Sequence, residues 1–319
     1  MRAQALRDRR AAAGRTTARA GNLVVATTTA DGFRGERMSV STTKRTMVLH
    51  SAHQDQFDVP DRDLVFYDQP YDTEHLSRVT DVHLWSPLEG PIDRLPEIIT
   101  AMTNLRSLSI GPGKVLPTVV TELRQGDLPD SLEELSVHIS DRTLVWPDVV
   151  VPNLKTLYVG EPFRFKNEHF PRLRALSLYP QRSLNNVRQA LELPLEELNL
   201  LNVPTDEEIF RLVEPVGLRR LGLIGGRTLT SLTGISALPQ LESLRLKNLT
   251  SLGDISELAT LQQLEIVNIQ YCKKITGIAA INDLPRLRRL TLVGCGTIGL
   301  EKIEAKLSTL DWANTGATW

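Results

Sequence analysis

The six-residue pattern L-x-x-L-x-L recurs along most of this chain of 319 residues. Its copies begin at residues 79, 105, 132, 154, 173, 195, 218, 241, 264, 287 and 307. The four spacings from 195 to 287 are each 23 residues, and the other spacings range from 19 to 27. A period this constant predicts a stack of equivalent units rather than a fold built from unlike elements.

The pattern also predicts how the units pack. Side chains alternate between the two faces of a strand, so the fourth and sixth residues of each copy share one face. No single copy can enclose that apolar face, and each must therefore be covered by the next copy along the chain. The expected arrangement is a row of parallel strands, one from each copy.

These copies resemble the leucine-rich repeat family, from Val79 to the C-terminal end, and the 23-residue copies are similar to its short bacterial-type repeats. The resemblance implies an α/β fold. It is a right-handed, horseshoe-shaped solenoid with a parallel concave sheet of about ten or eleven strands. Short helices and 3₁₀ turns are expected on the convex side. Residues 93–102, 183–193 and 204–213 have helical spacing, whereas the 23-residue copies leave room only for 3₁₀ turns.

Cys272 and Cys295, the two cysteines of the chain, both occupy the ninth position of a copy. Within the family this position usually holds Asn or Cys that points inward, which implies a structural thiol bonded to the turn. Lys273 and Lys274 leave a reactive thiolate or a metal ligand as alternatives, but buried structural cysteines are inert. Two cysteines are too few for a disulfide framework, so we expect free thiols and a cytoplasmic protein.

The chain divides into three predicted regions. Residues 1–40 form an Arg/Ala-rich tail that we expect to be disordered, since residues 1–37 hold eight arginines and three acids, a net charge of +5. A targeting segment and a true start at Met38 remain alternatives for it. Residues 41–78 form an N-terminal cap with two strand-like segments. Residues 79–319 form the repeat domain, in which GLEKIEAKL is a predicted capping helix before a last strand in LSTLDW.

Motifs for catalysis are missing from the sequence. No spacing assembles a nucleophile, a base and an orienting group. His50, His53, Asp55 and Asp58 have side chains that bind metals, but they complete no known ligand spacing. We therefore predict no enzyme activity, no cofactor and no metal. The net charge is −1 and no apolar run approaches about 18 residues, which predicts neither a nucleic-acid nor a membrane partner.

The third, fifth and seventh residues of each copy form the predicted concave face of the sheet. Tyr158 and Tyr179 come from successive copies and provide aromatic area for an interface. Four cations lie on later copies, in which these positions hold no acid. The candidate partner-binding residues are Trp85, His138, Tyr158, Tyr179, Arg220, Arg245, Lys247 and Arg289. Alternatively, the charges only keep the sheet soluble.

The favoured hypothesis is a non-catalytic scaffold that binds a protein or peptide with acidic groups on the concave face. A long and shallow surface suits such a partner better than a small molecule. The alternative is an effector or enzyme-associated protein that uses the repeats for targeting, with an activity outside them in residues 1–78. The sequence does not indicate an oligomeric state.

Overall fold

One parallel sheet runs through the described chain. The computed structural model describes residues 45–56, 63–86, 92–113, 116–139, 144–203, 208–214 and 217–316. The sheet has 14 strands, namely β1 (Thr46–Leu49), β2 (Leu64–Phe66), β3 (Asp81–Ser86), β4 (Ser107–Gly113), β5 (Glu134–Val137), β6 (Leu144–Val145), β7 (Thr156–Arg164), β8 (Ala175–Tyr179), β9 (Glu197–Leu201), β10 (Arg220–Gly226), β11 (Ser243–Leu249), β12 (Ile266–Gln270), β13 (Arg289–Val293) and β14 (Trp312–Asn314). Their order across the sheet runs from β14 to β7 and then through β5, β4, β3, β1 and β2, while β6 pairs with β7 beside this path.

Each copy of the repeat forms one rung, and neighbouring rungs are aligned residue by residue. The third residue of a copy pairs with the third residue of the next, as in Ser243 with Ile266 and Ile266 with Arg289. Before each strand, the amides of the second and third residues donate to one carbonyl of the preceding rung. Glu242 N and Ser243 N, for example, lie 2.8 and 3.1 Å from Arg219 O. Equivalent sequence positions therefore form straight columns across the sheet.

The first, fourth and sixth residues of the copies fill a continuous core. Leu241, Leu244 and Leu246 of one rung have no exposed surface, and they contact their equivalents in the neighbouring rungs within one apolar cluster. Burying a leucine side chain contributes about 1.5–3 kcal/mol. The core expected from the periodicity is confirmed, and aliphatic side chains supply most of it.

The convex side changes along the chain as the spacing predicts. The α-helices are α1 (Thr73–Leu76), α2 (Thr118–Thr121), α3 (Asn185–Ala190), α4 (Glu208–Val213) and α5 (Glu304–Leu307). The 23-residue copies use 3₁₀ helices at Ile235–Ala237, Ser256–Thr260 and Ile278–Asp283. The predicted helix in residues 93–102 is a single 3₁₀ turn, Glu97–Ile99, which closes with two hydrogen bonds, from Ile99 N to Pro96 O and from Thr100 N to Glu97 O.

The two strand-like segments of the predicted N-terminal cap extend the same sheet. β1 pairs with β3 on one side and with β2 on the other, in parallel throughout. The sheet is thus larger than the ten or eleven strands expected. The eleven copies supply eleven strands, and β1, β2 and β6 are additional.

The last copy of the repeat begins at Leu310 rather than at residue 307. Trp312 pairs with Arg289, the third residue of the previous copy, and Trp312 N donates to Arg288 O at 3.2 Å. The last copy therefore begins 23 residues after the copy at residue 287, which is the same spacing as in the four copies before it. Leu307 is the last residue of α5, and the strand begins only at Trp312. The match to the repeat pattern at residues 307–312 therefore does not mark the start of a copy.

Among the helices that the structure describes, none has the length and apolar character needed to cross a membrane. The predicted tail, residues 1–40, lies outside the described residues.

Replacing Leu244 by Ala tests the core. Leu244 has no exposed surface, so the substitution should leave a cavity and lower the free energy of unfolding by about 2–5 kcal/mol. Urea denaturation measures this change. Gln240→Ala, at an exposed turn position just before this copy, should stay within about 0.5 kcal/mol of the parent. An unchanged midpoint for Leu244→Ala would contradict the assignment of this rung.

Candidate functional site

The centre of the concave face is lined by small polar residues at the fifth position of the rungs. Ser109, Ser177 and Asn199 are buried there. Gly222 follows Asn199 in the same column. A Cβ at Gly222 would stand 1.9 Å from Asn199 Oδ1, so the amide of Asn199 lies directly over the glycine. Small residues thus leave space that longer side chains from neighbouring rungs can enter.

The predicted aromatic residues form one ring contact with a predicted histidine. The rings of His138 and Tyr158 lie 4.8 Å apart at an interplanar angle of 35°. Tyr179 is on the next strand, and its hydroxyl accepts a hydrogen bond from Asn202 Nδ2 at 2.5 Å. An irregularity in β7 brings Pro162 opposite Tyr179. Trp85 is half-buried on β3, three rungs from Tyr158.

Arg220 is paired with an acid of the preceding rung. Its Nε lies 2.8 Å from Oε2 of Glu197, whose side chain is 5% exposed. The other carboxylate oxygen, Oε1, accepts a hydrogen bond from Asn199 Nδ2 at 2.9 Å. The sequence suggested four unopposed cations, but the charge of Arg220 is compensated within the face. The third-position register between β9 and β10 creates this pair.

Arg245 is the predicted cation that lies deepest in the face. Burial lowers the pKa of its guanidinium, and nearby Glu197 and Tyr158 act in the opposite direction. Its Nε is buried and has no hydrogen-bond partner among the described residues. Lys247, two residues later, also has a lowered pKa, first because of burial and then because of the charge of Arg245. Arg289 is half-buried on β13, two strands away.

A row of buried polar atoms without protein partners follows the same face. Within the described part of the chain, these atoms are Ser109 Oγ, His138 Nε2, Asn199 Oδ1, Ser243 Oγ, Arg245 Nε and Asn268 Oδ1. Buried polar groups in proteins are nearly always hydrogen-bonded, so such a row needs an explanation. Sequence reasoning assigned Ser109, Asn199, Ser243 and Asn268 to the face but did not select them. A polar residue at the third or fifth position of a copy is the sequence feature that could have identified them.

The N-terminal end of the face holds a buried histidine that was not selected from the sequence. Burial, together with the positive charges of Arg45 and His138, lowers the pKa of His83 to about 4. Arg45, just before β1, forms an ion pair with Asp81 at 3.0 Å. The segment just before β1 therefore contributes a cation to the first rung of the concave face.

Cys272 and Cys295 are buried free thiols that point toward the previous rung. Cys295 Sγ donates to Ile269 O at 3.4 Å, and Cys272 Sγ lies 3.4 Å from Gln270 O and 3.9 Å from Leu246 O. Burial raises the pKa of Cys272 to about 11. Lys273 and Lys274 are exposed and do not activate the thiol.

Outside the concave face, Asp148, Glu168 and His169 bring three metal-type ligand atoms within 4.8 Å of one another. Lys166 Nζ lies 3.3 Å from Asp148 and 3.2 Å from Glu168, and its hydrogen bond to Asp148 lowers the pKa of that carboxyl. His169 Nδ1 accepts a hydrogen bond from Lys166 N at 3.3 Å. The other ring nitrogen, Nε2, lies 3.5 Å from Asp148 Oδ1. The cluster is best described as an ion-pair network.

Comparison with known proteins gives structural likenesses alone. No family model matches the chain, and no curated protein matches it. An internalin (inlF) from Listeria monocytogenes is 17% identical with a TM-score of 0.39, covering 76% of this chain and 82% of the internalin. A leucine-rich-repeat protein of Leptospira interrogans is 18% identical with a TM-score of 0.37, covering 78% and 81%. The plant peptide hormone receptor RGFR1 in complex with RGF2 is 14% identical with a TM-score of 0.35, covering 80% and 43%.

The repeats and the register of the sheet together identify the architecture. Copies of L-x-x-L-x-L lie side by side as parallel rungs, their leucines form one core, and short helices or 3₁₀ turns return the chain between strands. The chain folds as a leucine-rich-repeat solenoid.

His83 should make stability depend on pH. Its pKa is about 4 in the folded protein and about 6.5 in the unfolded chain, so between these values the unfolded chain binds more protons. Stability should therefore fall as pH falls from about 6.5 toward 4. Between pH 7.5 and 5, the parent should lose about 2 kcal/mol more than His83→Gln.

Denaturant titrations at the two pH values measure this difference. His75→Gln, which removes an exposed histidine of α1, should retain the pH dependence of the parent. Equal losses in the parent and in His83→Gln would show that His83 is not buried in its neutral form.

The thiols should react slowly while the protein is folded. The pKa of about 11 at Cys272 leaves little of its thiolate at pH 8. Burial also raises the pKa of Cys295, and both cysteines are buried. Labelling with a maleimide should be slow in buffer and fast in denaturant, for both cysteines. Rapid labelling of Cys272 in the native protein would mean that its rung opens or is packed differently.

Proposed function

We propose that this protein is a scaffold without catalytic activity of its own, and that it binds a protein or peptide partner on the concave face. The observation that carries the proposal is the row of buried polar atoms without protein partners on that face. Leaving a buried donor or acceptor unpaired costs roughly 1–3 kcal/mol. If these side chains reorient when a partner binds, hydrogen bonds to the partner would recover part of that cost.

The dimensions of the face favour a macromolecular partner. Neighbouring strands lie about 4.8 Å apart, so the rungs from β4 to β12 that carry the row extend over roughly 35 Å. A small molecule would reach only two or three of these rungs. An extended peptide or a protein surface can contact them all, because side chains along such a partner recur at a comparable spacing.

Arg245 and Lys247 give the face its preference for acidic groups. Both pKa values are lowered by burial, which means that the face disfavours the two charges in the absence of a partner. A carboxylate of the partner would restore a favourable environment for them. Arg220 contributes less to this preference, because Glu197 already compensates its charge. His138 and Tyr158 supply an aromatic surface on the earlier rungs of the face, five and four rungs before Arg245.

The two buried thiols agree with a reducing compartment, and we propose a cytoplasmic location on that basis.

The test begins with a partner captured by the intact chain from its own source and then purified. Arg245→Glu should weaken binding and slow association at low salt, whereas Tyr158→Ala should mainly accelerate dissociation. Arg188→Glu reverses a charge on α3 of the convex side and should bind like the parent. Surface plasmon resonance at two salt concentrations separates these effects.

If Arg245→Glu and Tyr158→Ala bind like the parent while Arg188→Glu does not, the convex side is the binding surface and the proposal for the concave face fails.

A further inference from the structure

The eighth residue of the rungs adopts a left-handed backbone in five successive copies. The φ angles are 57° at Asn202, 71° at Gly225, 56° at Asn248, 55° at Tyr271 and 66° at Gly294. At this point the chain leaves the strand, yet its amide still bonds to the next rung. The amide of Tyr271, for example, donates to Val293 O at 2.7 Å. The repeat therefore imposes this conformation whichever residue is present.

Tyr271 is the exception among these five residues. Glycine, and to a lesser extent asparagine, tolerates a left-handed backbone, whereas a bulky side chain there is a true outlier. Burial does not compensate Tyr271, since the residue is 48% exposed. Its ring lies over Gly294, where an added Cβ would stand 2.5 Å from Tyr271 Cδ1. An exposed and strained aromatic residue that the core does not need suggests a contact with another molecule.

The surroundings of Tyr271 are positively charged. Four segments leave the strands β10 to β13 side by side, namely residues 225–231, 247–253, 270–276 and 293–298. They contain the cations Arg227, Lys247, Lys273 and Lys274 and no acidic residue. Arg227, Lys273 and Lys274 are exposed. The carboxylate that follows the second segment, Asp254, accepts hydrogen bonds from Ser256 N and Oγ, each at 2.9 Å.

We propose that Tyr271 and these four cations, here named the basic rim, form a docking surface for an acidic peptide segment of a protein partner. The tyrosine packs against the segment, and the cations bind its carboxylates. Because the whole chain carries a net charge of −1, this local charge favours an acidic protein over nucleic acid or an anionic membrane. The inference rests on the proposed function in that both require a protein partner, but it concerns the turns that follow the strands, and Lys247 belongs to both surfaces.

The experiment uses random 12-residue peptides displayed on phage and selected on the intact protein, followed by anisotropy measurements with synthetic copies. Enriched peptides should be acidic and should contain apolar residues. Tyr271→Asn should weaken their binding by about ten-fold or more, and Lys273→Glu combined with Lys274→Glu should weaken it further. Asn248→Gly, at the same position of the previous rung, is the matched control and should bind like the parent.

Stability provides a second and independent readout. Asn occupies this position in two other rungs, so Tyr271→Asn should leave Tm unchanged or raise it by up to about 3 °C. A residue present only for folding would show the reverse, a lower Tm with unchanged binding, and that result would overturn the proposal. Enrichment of neutral or basic peptides would overturn it too, as would binding of RNA or phosphatidylserine vesicles without any acidic peptide.

Variants of the concave face separate this inference from the proposed function. If the selected peptides lose affinity with Arg245→Glu but not with Tyr271→Asn, the concave face binds and the basic rim does not. If they lose affinity with Tyr271→Asn alone, the basic rim stands and these peptides do not bind the concave face. Loss with both variants supports a single partner that spans the two surfaces.

Discussion

Every feature described above depends on the stacking of one rung on the next. A single repeat cannot bury its own leucines, so its core is completed by its neighbours. The paired amides that bond to one carbonyl of the preceding rung fix how far the rungs can slide. A shift by one residue would turn the leucines to the concave face and the polar residues inward. Register and burial therefore support each other along the whole sheet.

This register gives each position of the repeat a constant physical role. The fourth and sixth positions are core, and the fifth lies in the centre of the concave face. The eighth takes a left-handed backbone in the five copies that begin at residues 195 to 287, and the ninth holds a buried thiol in two rungs. A residue that departs from the role of its column is therefore informative. Arg245, in a column where most rungs hold a small residue, and Tyr271, in a column of Gly and Asn, are two such departures.

The rungs and their core could be predicted because leucines at a fixed period report directly on burial. The last rung could not, since Leu307 of α5 completes the pattern although the strand begins five residues later. The pair of Arg220 with Glu197 also escaped prediction, because it depends on side-chain reach between rungs and not on the pattern within one rung. The strain at Tyr271 is a backbone property, which residue types reveal only once the φ angles of its column are known.

Hydrogen exchange measured residue by residue tests the register most directly. Amides that bond between rungs in a buried sheet exchange slowly, whereas those in exposed turns exchange fast. The structure predicts slow amides in residues 243–249, 266–270 and 289–293, recurring every 23 residues, with faster exchange between them. Protection without this period, or displaced by one or more residues between successive rungs, would contradict the stacking on which the concave face and the basic rim depend.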